Sequence, residues 1–462
     1  MLKFPSINTR HILLGCLVII TSIVFITSLS DIVLGRIPFW YDPARDLLLG
    51  LGNHLKPTLI GQPTGIPGVF YGPYWIWVLS LIQYISLDPR VVALAALLIP
   101  YFILFPLVLM KFKKVLSLEA CIMIWLLFIM SFKNYFTSLW NPHLLPLFLV
   151  ASLYVLIVID FRRLGISSLS KTVLAGFLVG LTASFSMSFG IGIVVGSFTY
   201  LLLIFIYLFL QKKDSPTRLI RNYAVFILFL MLGLLISFGP FLLFEMRHGF
   251  NQIESLLRAS ASSVVTQTGM MDKEIVLTFL NIPEKIFKIP SALFYPLVLL
   301  ALIFTKQRPV WLRKLSEDEA KLILALFSLT FSTLFIYLIS KNPVWDYHFI
   351  GFEIIFLFLI GVLINRSQYF KKIGILVVVV IGAGFILNSL GSIQDKTILT
   401  DSLRAKEDVT ENIYADTDKQ KFLVYAYSPS IYTFDYDYLF KWYSKGKNYP
   451  QPITDLSQAE NV

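Results

Sequence analysis

The stretch 39–50 reads FWYDPARDLLLG and brings two carboxylates and a guanidinium close together along the chain. Asp42 followed by Pro43 predicts a helix start, with the carboxylate as N-cap and the proline at the first helical position. Asp46, four residues on, then shares a face with Asp42, and Arg45 lies close to both. Two carboxylates held near each other at a membrane surface can have their pKa values pushed apart, which is the property a general base uses. The same spacing also describes a plain capped interfacial helix with a solvated Arg–Asp pair, so spacing alone leaves both readings open.

Other groups carry chemistry of their own. Residues 61–77, GQPTGIPGVFYGPYWIW, join turn-forming Gly and Pro to an aromatic run, which suits a membrane-interface belt or the wall of a sugar cleft. Arg247 and His248 follow an apolar run ending at Phe244, where a guanidinium can grip a lipid phosphate or simply snorkel to the interface. Trp140, Asn141 and His143 top another run, and Asn141 before Pro142 serves a helix start as readily as a substrate contact. Asp346, Tyr347 and His348 form a further turn. Glu353 falls about one turn below it inside an apolar run, where a carboxylate is either functional or paired with a neighbouring helix. Metal chemistry is poorly served. His54, His143, His248 and His348 show no H-x-x-H or HExxH spacing, no acidic cluster has convincing spacing for a divalent cation, and Cys16 and Cys121 lie within apolar runs.

The elements that must position these residues are membrane helices. The chain has 462 residues, is 56% hydrophobic and only 15% charged, and has a mean hydropathy of +0.74. A soluble chain of this length needs far more charge to cover its surface. Apolar runs fall at about 11–29, 91–110, 116–132, 144–160, 172–188, 190–210, 222–244, 291–305, 320–340, 347–364 and 373–391. About eleven transmembrane helices in an all-α polytopic fold are expected. The first run is long and no A-x-A-like site follows it, so it reads as a retained span. Residues 70–87 read as a juxtamembrane or partly embedded helix. That choice places Lys111, Lys113 and Lys114, Arg162 and Arg163, Lys212 and Lys213, Lys371 and Lys372 on one side. The basic asymmetry predicts a cytoplasmic N-terminus and an extracytoplasmic C-terminus in the cell membrane. It also accounts for the net charge of +11 without nucleic acid as a partner. Two domains follow: 1–391 in the membrane, with a long first outer loop at 31–90, and an outer tail at 392–462. The tail, rich in Asp, Lys and Tyr, predicts a helix at 399–412 and a strand at 421–427, hence a small α/β unit.

On this topology YDPARDLLLG, GQPTGIPGVFYGPYW, SLWNPHLLPLF (138–148) and GPFLLFEMRHGFNQ (239–252) share one side, in an order that resembles the polytopic glycosyltransferases of the type C fold. The resemblance is to bacterial members of glycosyltransferase family 39 and the dolichyl-phosphate-mannose protein mannosyltransferase-like group, over roughly residues 1–390. It implies transfer of a sugar from a polyprenyl-phosphate carrier to an acceptor hydroxyl on a glycan, lipid or protein, usually with inversion. An aspartate of the first outer loop acts as general base in such enzymes, a role that falls to Asp42. Many relatives carry Asp-Glu where this chain has Asp42-Pro43, and Asp46 is the candidate replacement for the missing glutamate. Arg45, Asn141, His143, Arg247, His248 and His348 are the candidate donor-phosphate and substrate contacts. No cofactor is firmly implied, although some type C enzymes use a divalent metal. A lipid-linked-sugar flippase or other transporter, and an inactive structural relative, are the competing classes.

Overall fold

The computed structural model describes residues 9–211, 215–261, 270–304, 315–340, 344–394, 400–418, 420–424 and 433–453. Hydrocarbon offers the backbone no partners, so long apolar runs close their hydrogen bonds internally as helices. Among the described residues eight helices are long and apolar enough to cross a membrane, within Arg10–Val33, Pro89–Lys114, Ile166–Phe185, Met187–Leu210, Pro216–Arg247, Glu317–Ile339, Asp346–Arg366 and Phe370–Ser389. The chain is therefore a multi-pass, all-α membrane protein.

In chain order the elements are α1 (Thr9–Val33), α2 (Tyr41–Leu55), α3 (Tyr74–Gln83), α4 (Pro89–Ala93) and α5 (Phe105–Lys111). Helix α4 joins α5 through two widened π-type stretches, Leu94–Leu98 and Pro100–Leu104. Pro100 and Pro106 each lack an N–H, so a regular ladder cannot run through. Helices α6 (Leu118–Ser131), α7 (Leu145–Ile157), α8 (Ile166–Phe185), α9 (Met187–Leu210) and α10 (Pro216–Arg247) follow. Next come α11 (Asn251–Ala261), α12 (Asp272–Leu280), α13 (Ile282–Phe287) and α14 (Ser291–Phe304). The last are α15 (Glu317–Ile339), α16 (Ile350–Arg366), α17 (Gln368–Gln394), α18 (Leu403–Asp416) and α19 (Phe434–Gly446).

Small residues let the helices approach closely. A Cβ on Gly176 of α8 would lie 2.2 Å from the Leu230 carbonyl of α10, and one on Gly233 would lie 2.0 Å from the Val173 carbonyl. That contact admits only glycine on both sides.

The two ends of the bundle differ in charge. At one end Lys371 pairs with Glu119 at 3.0 Å, Arg162 with Glu317 at 3.4 Å, and Arg366 with Glu319 at 3.8 Å. The Ser316 hydroxyl and Glu319 form a reciprocal cap at the start of α15. The residues of chemical interest gather at the opposite end.

Three of the eleven expected spans are not among the eight membrane-length helices: the run at 291–305 is described only to Phe304, as α14, and the other two come out short. Helices α6 and α7 have 14 and 13 residues, roughly 20 Å each against a hydrocarbon core of about 30 Å. Their charged ends are fixed, α6 by the Ser117 N–H donating to Asn365 Oδ1 and α7 by Lys321 Nζ donating to the Ile159 carbonyl. The missing turns therefore fall at the other end, where Lys133–Phe136 and Asn141–Leu144 form tight 3-10 turns. A recess opens there.

Helix α3 spans ten residues, about 15 Å, which is half a crossing. It lies against α2, with Trp75, Ile76 and Leu79 buried. The tail docks on this loop. The Leu403 N–H donates to the Ile37 carbonyl, the Arg404 N–H to Gly35, and the Phe39 N–H to Asp401. Arg90 pairs with the buried Glu407, and Gln83 Nε2 donates to the Tyr438 hydroxyl. The helix expected at 399–412 is α18, four residues later at each end. Of the strand expected at 421–427, residues 425–427 lie outside the described residues. The described part makes one isolated bridge, Leu423 with Ile453.

Candidate functional site

Helix α2 begins with Trp40 as its N-cap, so Asp42 sits in the first turn and is not the cap the sequence predicts. The physical reason is a stronger partner: Asp42 Oδ1 lies 2.7 Å from Arg45 Nη1, and a charge-assisted pair outweighs a bond to a helix N–H. The same guanidinium donates through Nε and Nη2 to Asp46 Oδ1 at 2.9 and 2.7 Å. Trp75 Nε1 of α3 donates to the other oxygen of Asp46 at 2.9 Å. One arginine thus bridges two carboxylates on one helical face.

The carboxylates have different surroundings. The Asp46 side chain is fully buried with both oxygens engaged, whereas that of Asp42 remains 20% exposed. Burial pushes the Asp46 carboxyl up to about 7, against the downward pull of Arg45. Burial also raises Asp42 above the ordinary carboxylate range, and Arg45 again opposes the shift. Of the two, Asp42 has the open face and a basicity above that of a free aspartate.

Aromatic residues surround it. Trp40 meets Trp140 edge-on at 6.1 Å, and Trp140 meets Tyr347 edge-on at 4.7 Å. Tyr41 receives the Arg45 guanidinium over its ring at 5.4 Å. Tyr71 and Tyr347 both lie within the electrostatic reach of Asp42. Burial holds the Tyr71 hydroxyl well above its ordinary value, so it stays a proton donor. Tyr71 is placed by a small hairpin in which Gly61 N–H donates to the Tyr71 carbonyl and Tyr71 N–H to Gln62. A Cβ on Gly61 would lie 2.4 Å from the Gly72 carbonyl, which explains the glycine at position 61.

Tyr347 stands between two cavities. One, of about 100 Å³, is lined by Tyr71, Ser188, Tyr337 and His348 as well as Tyr347. The other, of about 340 Å³, contains Tyr135, Trp140, His143, Lys285 and Glu353. A third cavity of about 270 Å³ shares Met187, Ile191 and Leu256 with the first. Its wall is mostly apolar and includes Val195, Phe238 and Phe241. Ile191 and Val195 are also exposed on the outer surface of α9, a membrane-length helix. A greasy groove therefore runs from the flank of the bundle into a small mixed pocket whose Tyr71 and Tyr347 lie toward Asp42.

The remaining candidates divide. His348 lines the small cavity, with Nδ1 accepting from the Trp345 N–H at 3.1 Å and Nε2 3.4 Å from Ser188 Oγ. His143 is buried under Trp140, stacked on Tyr135, with Nδ1 2.8 Å from the Ser138 carbonyl. Asn141 does not cap its helix; its Nδ2 donates to the Phe185 carbonyl and ties down the α8–α9 turn. Arg247 and His248 are exposed at the end of α10, with His248 stacked on Phe244, and neither lines the three cavities described here.

Sequence reasoning passed over Glu245, Tyr135, Ser188 and Lys285. Glu245 is fully buried and accepts from the Ile253 N–H through Oε2. A buried acid two residues before Arg247, within a motif already noted, was the available signal. Lys285 bridges Asp346 and Glu353, and only the buried position of Glu353 hinted at a partner. Among the described residues no group of three or more His, Cys, Asp or Glu is placed to hold a metal ion. No protein-family model matches the chain, and no curated protein matches its sequence.

Proposed function

We propose that this chain is a membrane glycosyltransferase of the type C kind, with about eleven spans, acting at the extracytoplasmic face of the cell membrane. It moves a sugar from a polyprenyl-phosphate carrier to an acceptor hydroxyl, inverting the anomeric centre. The observation that carries this reading is the position of Asp42: a partly open carboxylate near a small pocket with Tyr71, Ser188, Tyr347 and His348 in its wall, which an apolar groove enters from the membrane flank. A lipid-linked donor needs that combination, with an apolar channel for the polyprenyl chain and hydroxyl and imidazole groups at its inner end for the phosphate and sugar.

Asp42 takes the proton of the acceptor hydroxyl as that oxygen attacks the anomeric carbon. The bond from the anomeric carbon to phosphate oxygen breaks, and polyprenyl phosphate leaves with the bonding pair. Arg45 keeps Asp42 ionised despite its burial, and Asp46 anchors Arg45. Ser188, His348 and Tyr71 are among the polar groups that line the chamber reached by the groove, and we assign them to the donor head group. Basic clusters at the far end of the bundle support a cytoplasmic N-terminus and an outer site and tail.

The test uses purified full-length protein in nanodiscs with synthetic polyprenyl-phosphate sugars. Release of polyprenyl phosphate, faster than from empty nanodiscs, supports the reading. Movement of intact donor across a liposome bilayer without any release would instead make the chain a transporter.

A further inference from the structure

The 340 Å³ cavity on the other side of Tyr347 has a composition that names a ligand class. We infer that it is the acceptor subsite and that the acceptor is a neutral saccharide, a conclusion that rests on the transferase reading and specifies what it acts on.

Aromatic side chains form one part of the wall. Tyr135, Trp140 and Tyr347 all line the space, and Trp140 and Tyr347 meet edge-on, so the wall presents rings at more than one angle. The C–H faces of a pyranose are apolar, and stacked rings are how such faces are held out of water. Carboxylates form another part. Glu353 is 5% exposed, four residues into α16, with Lys285 Nζ 3.4 Å away and the Tyr135 hydroxyl turned toward it. Lys285 also reaches Asp346. Carboxylate oxygens retain acceptor capacity after one such contact, and sugar hydroxyls are their natural donors.

The charged residues bear on the class. Lys285 and Lys288 in the wall are matched in number by Asp346 and Glu353, so the lining has no excess of one residue type to select an acidic or an amino sugar. The volume falls at the lower end of ordinary small-molecule sites, which suits one or two sugar rings. The location follows from the short α6 and α7, whose missing turns open the recess. Tyr347 is wall to both cavities, and Trp40, two residues before Asp42, meets Trp140 of this cavity's wall, so the base lies near the junction of the two without lining either.

The experiment is binding of full-length protein in nanodiscs to an array of immobilised glycans, neutral, amino-bearing and acidic. Neutral glycans should retain the protein above empty nanodiscs. Trp140→Ala and Glu353→Gln should each lower that binding at least tenfold. Leu81→Ala, an exposed apolar site on α3, should not change it. If Glu353→Gln fails to fold, Trp140→Ala decides the matter. Binding only to amino or acidic glycans, no binding to any glycan, or undiminished binding by both variants would overturn the inference. Donor cleavage without glycan binding sinks the saccharide acceptor and spares the transferase; glycan binding without donor cleavage keeps a saccharide site but overturns both the transferase and the acceptor role of that site.

Discussion

A proton acceptor in a membrane enzyme faces opposing demands: it must be partly desolvated to be basic, and it must stay ionised. Asp42 meets both through Arg45, which it shares with the buried Asp46. Replacing Arg45 by Ala leaves a buried carboxylate without its cation, so we predict a loss of about 3 kcal/mol or more, read as a lower unfolding temperature in detergent. Arg45→Lys should recover part of that stability but not the two-point grip on Asp46. Because Asp42 is raised above the ordinary range, the acid limb of a rate–pH profile should fall at a higher pH than a free aspartate gives. Asp46 makes a separate prediction. With its carboxyl at about 7 against an ordinary 3.8, the folded state binds the proton more tightly between those values. Stability should therefore fall as pH rises through that window, and Asp46→Asn should flatten the dependence. An unfolding temperature in the wild type that climbs from pH 4 to 7 would contradict this assignment.

At the scale of elements, the crossings were largely legible because an apolar run in lipid has one way to satisfy its backbone. The runs at 116–132 and 144–160 come out as α6 and α7 to within three residues at each end, and what the sequence could not reveal is that 3-10 turns lie in the segment between them. The capping role expected for Asp42 also failed, since local spacing does not reveal that Arg45 competes for the carboxylate. The tail supplies a test at this scale. Arg90 is the cation that holds the buried Glu407, so Arg90→Ala should loosen α18 from the first loop. Hydrogen exchange over 403–416 should then rise at least tenfold, and unchanged protection would show that the backbone bonds to Gly35 and Ile37 suffice.

The whole molecule is polarised, with ion-paired basic helix ends at one pole and an aromatic, acid-bearing recess at the other. That polarity was readable from Lys and Arg counts, because charge asymmetry is a property of composition. Topology also put Trp140 in the same space as Asp42, but the ring contacts of Trp140 with Trp40 and Tyr347 were not readable, because residues so far apart along the chain have no local signature of contact. The proposed sidedness predicts a labelling pattern. In a background carrying Cys16→Ala and Cys121→Ala, Leu55→Cys should react with a membrane-impermeant maleimide on intact cells, and Lys113→Cys only after lysis. The reverse pattern would put the site in the cytoplasm and exclude an outer-face transferase.

The measurement that bears most directly on the central claim compares wild type with Asp42→Asn, both in nanodiscs, for release of polyprenyl phosphate and transfer of its sugar. Wild type should transfer, with inversion at the anomeric carbon, and Asp42→Asn should be slower by about 10²–10⁴ while keeping the wild-type unfolding temperature within a few degrees. Equal rates in a well-folded Asp42→Asn protein would remove Asp42 from the chemistry, and retention of configuration would contradict direct attack by an acceptor that Asp42 activates.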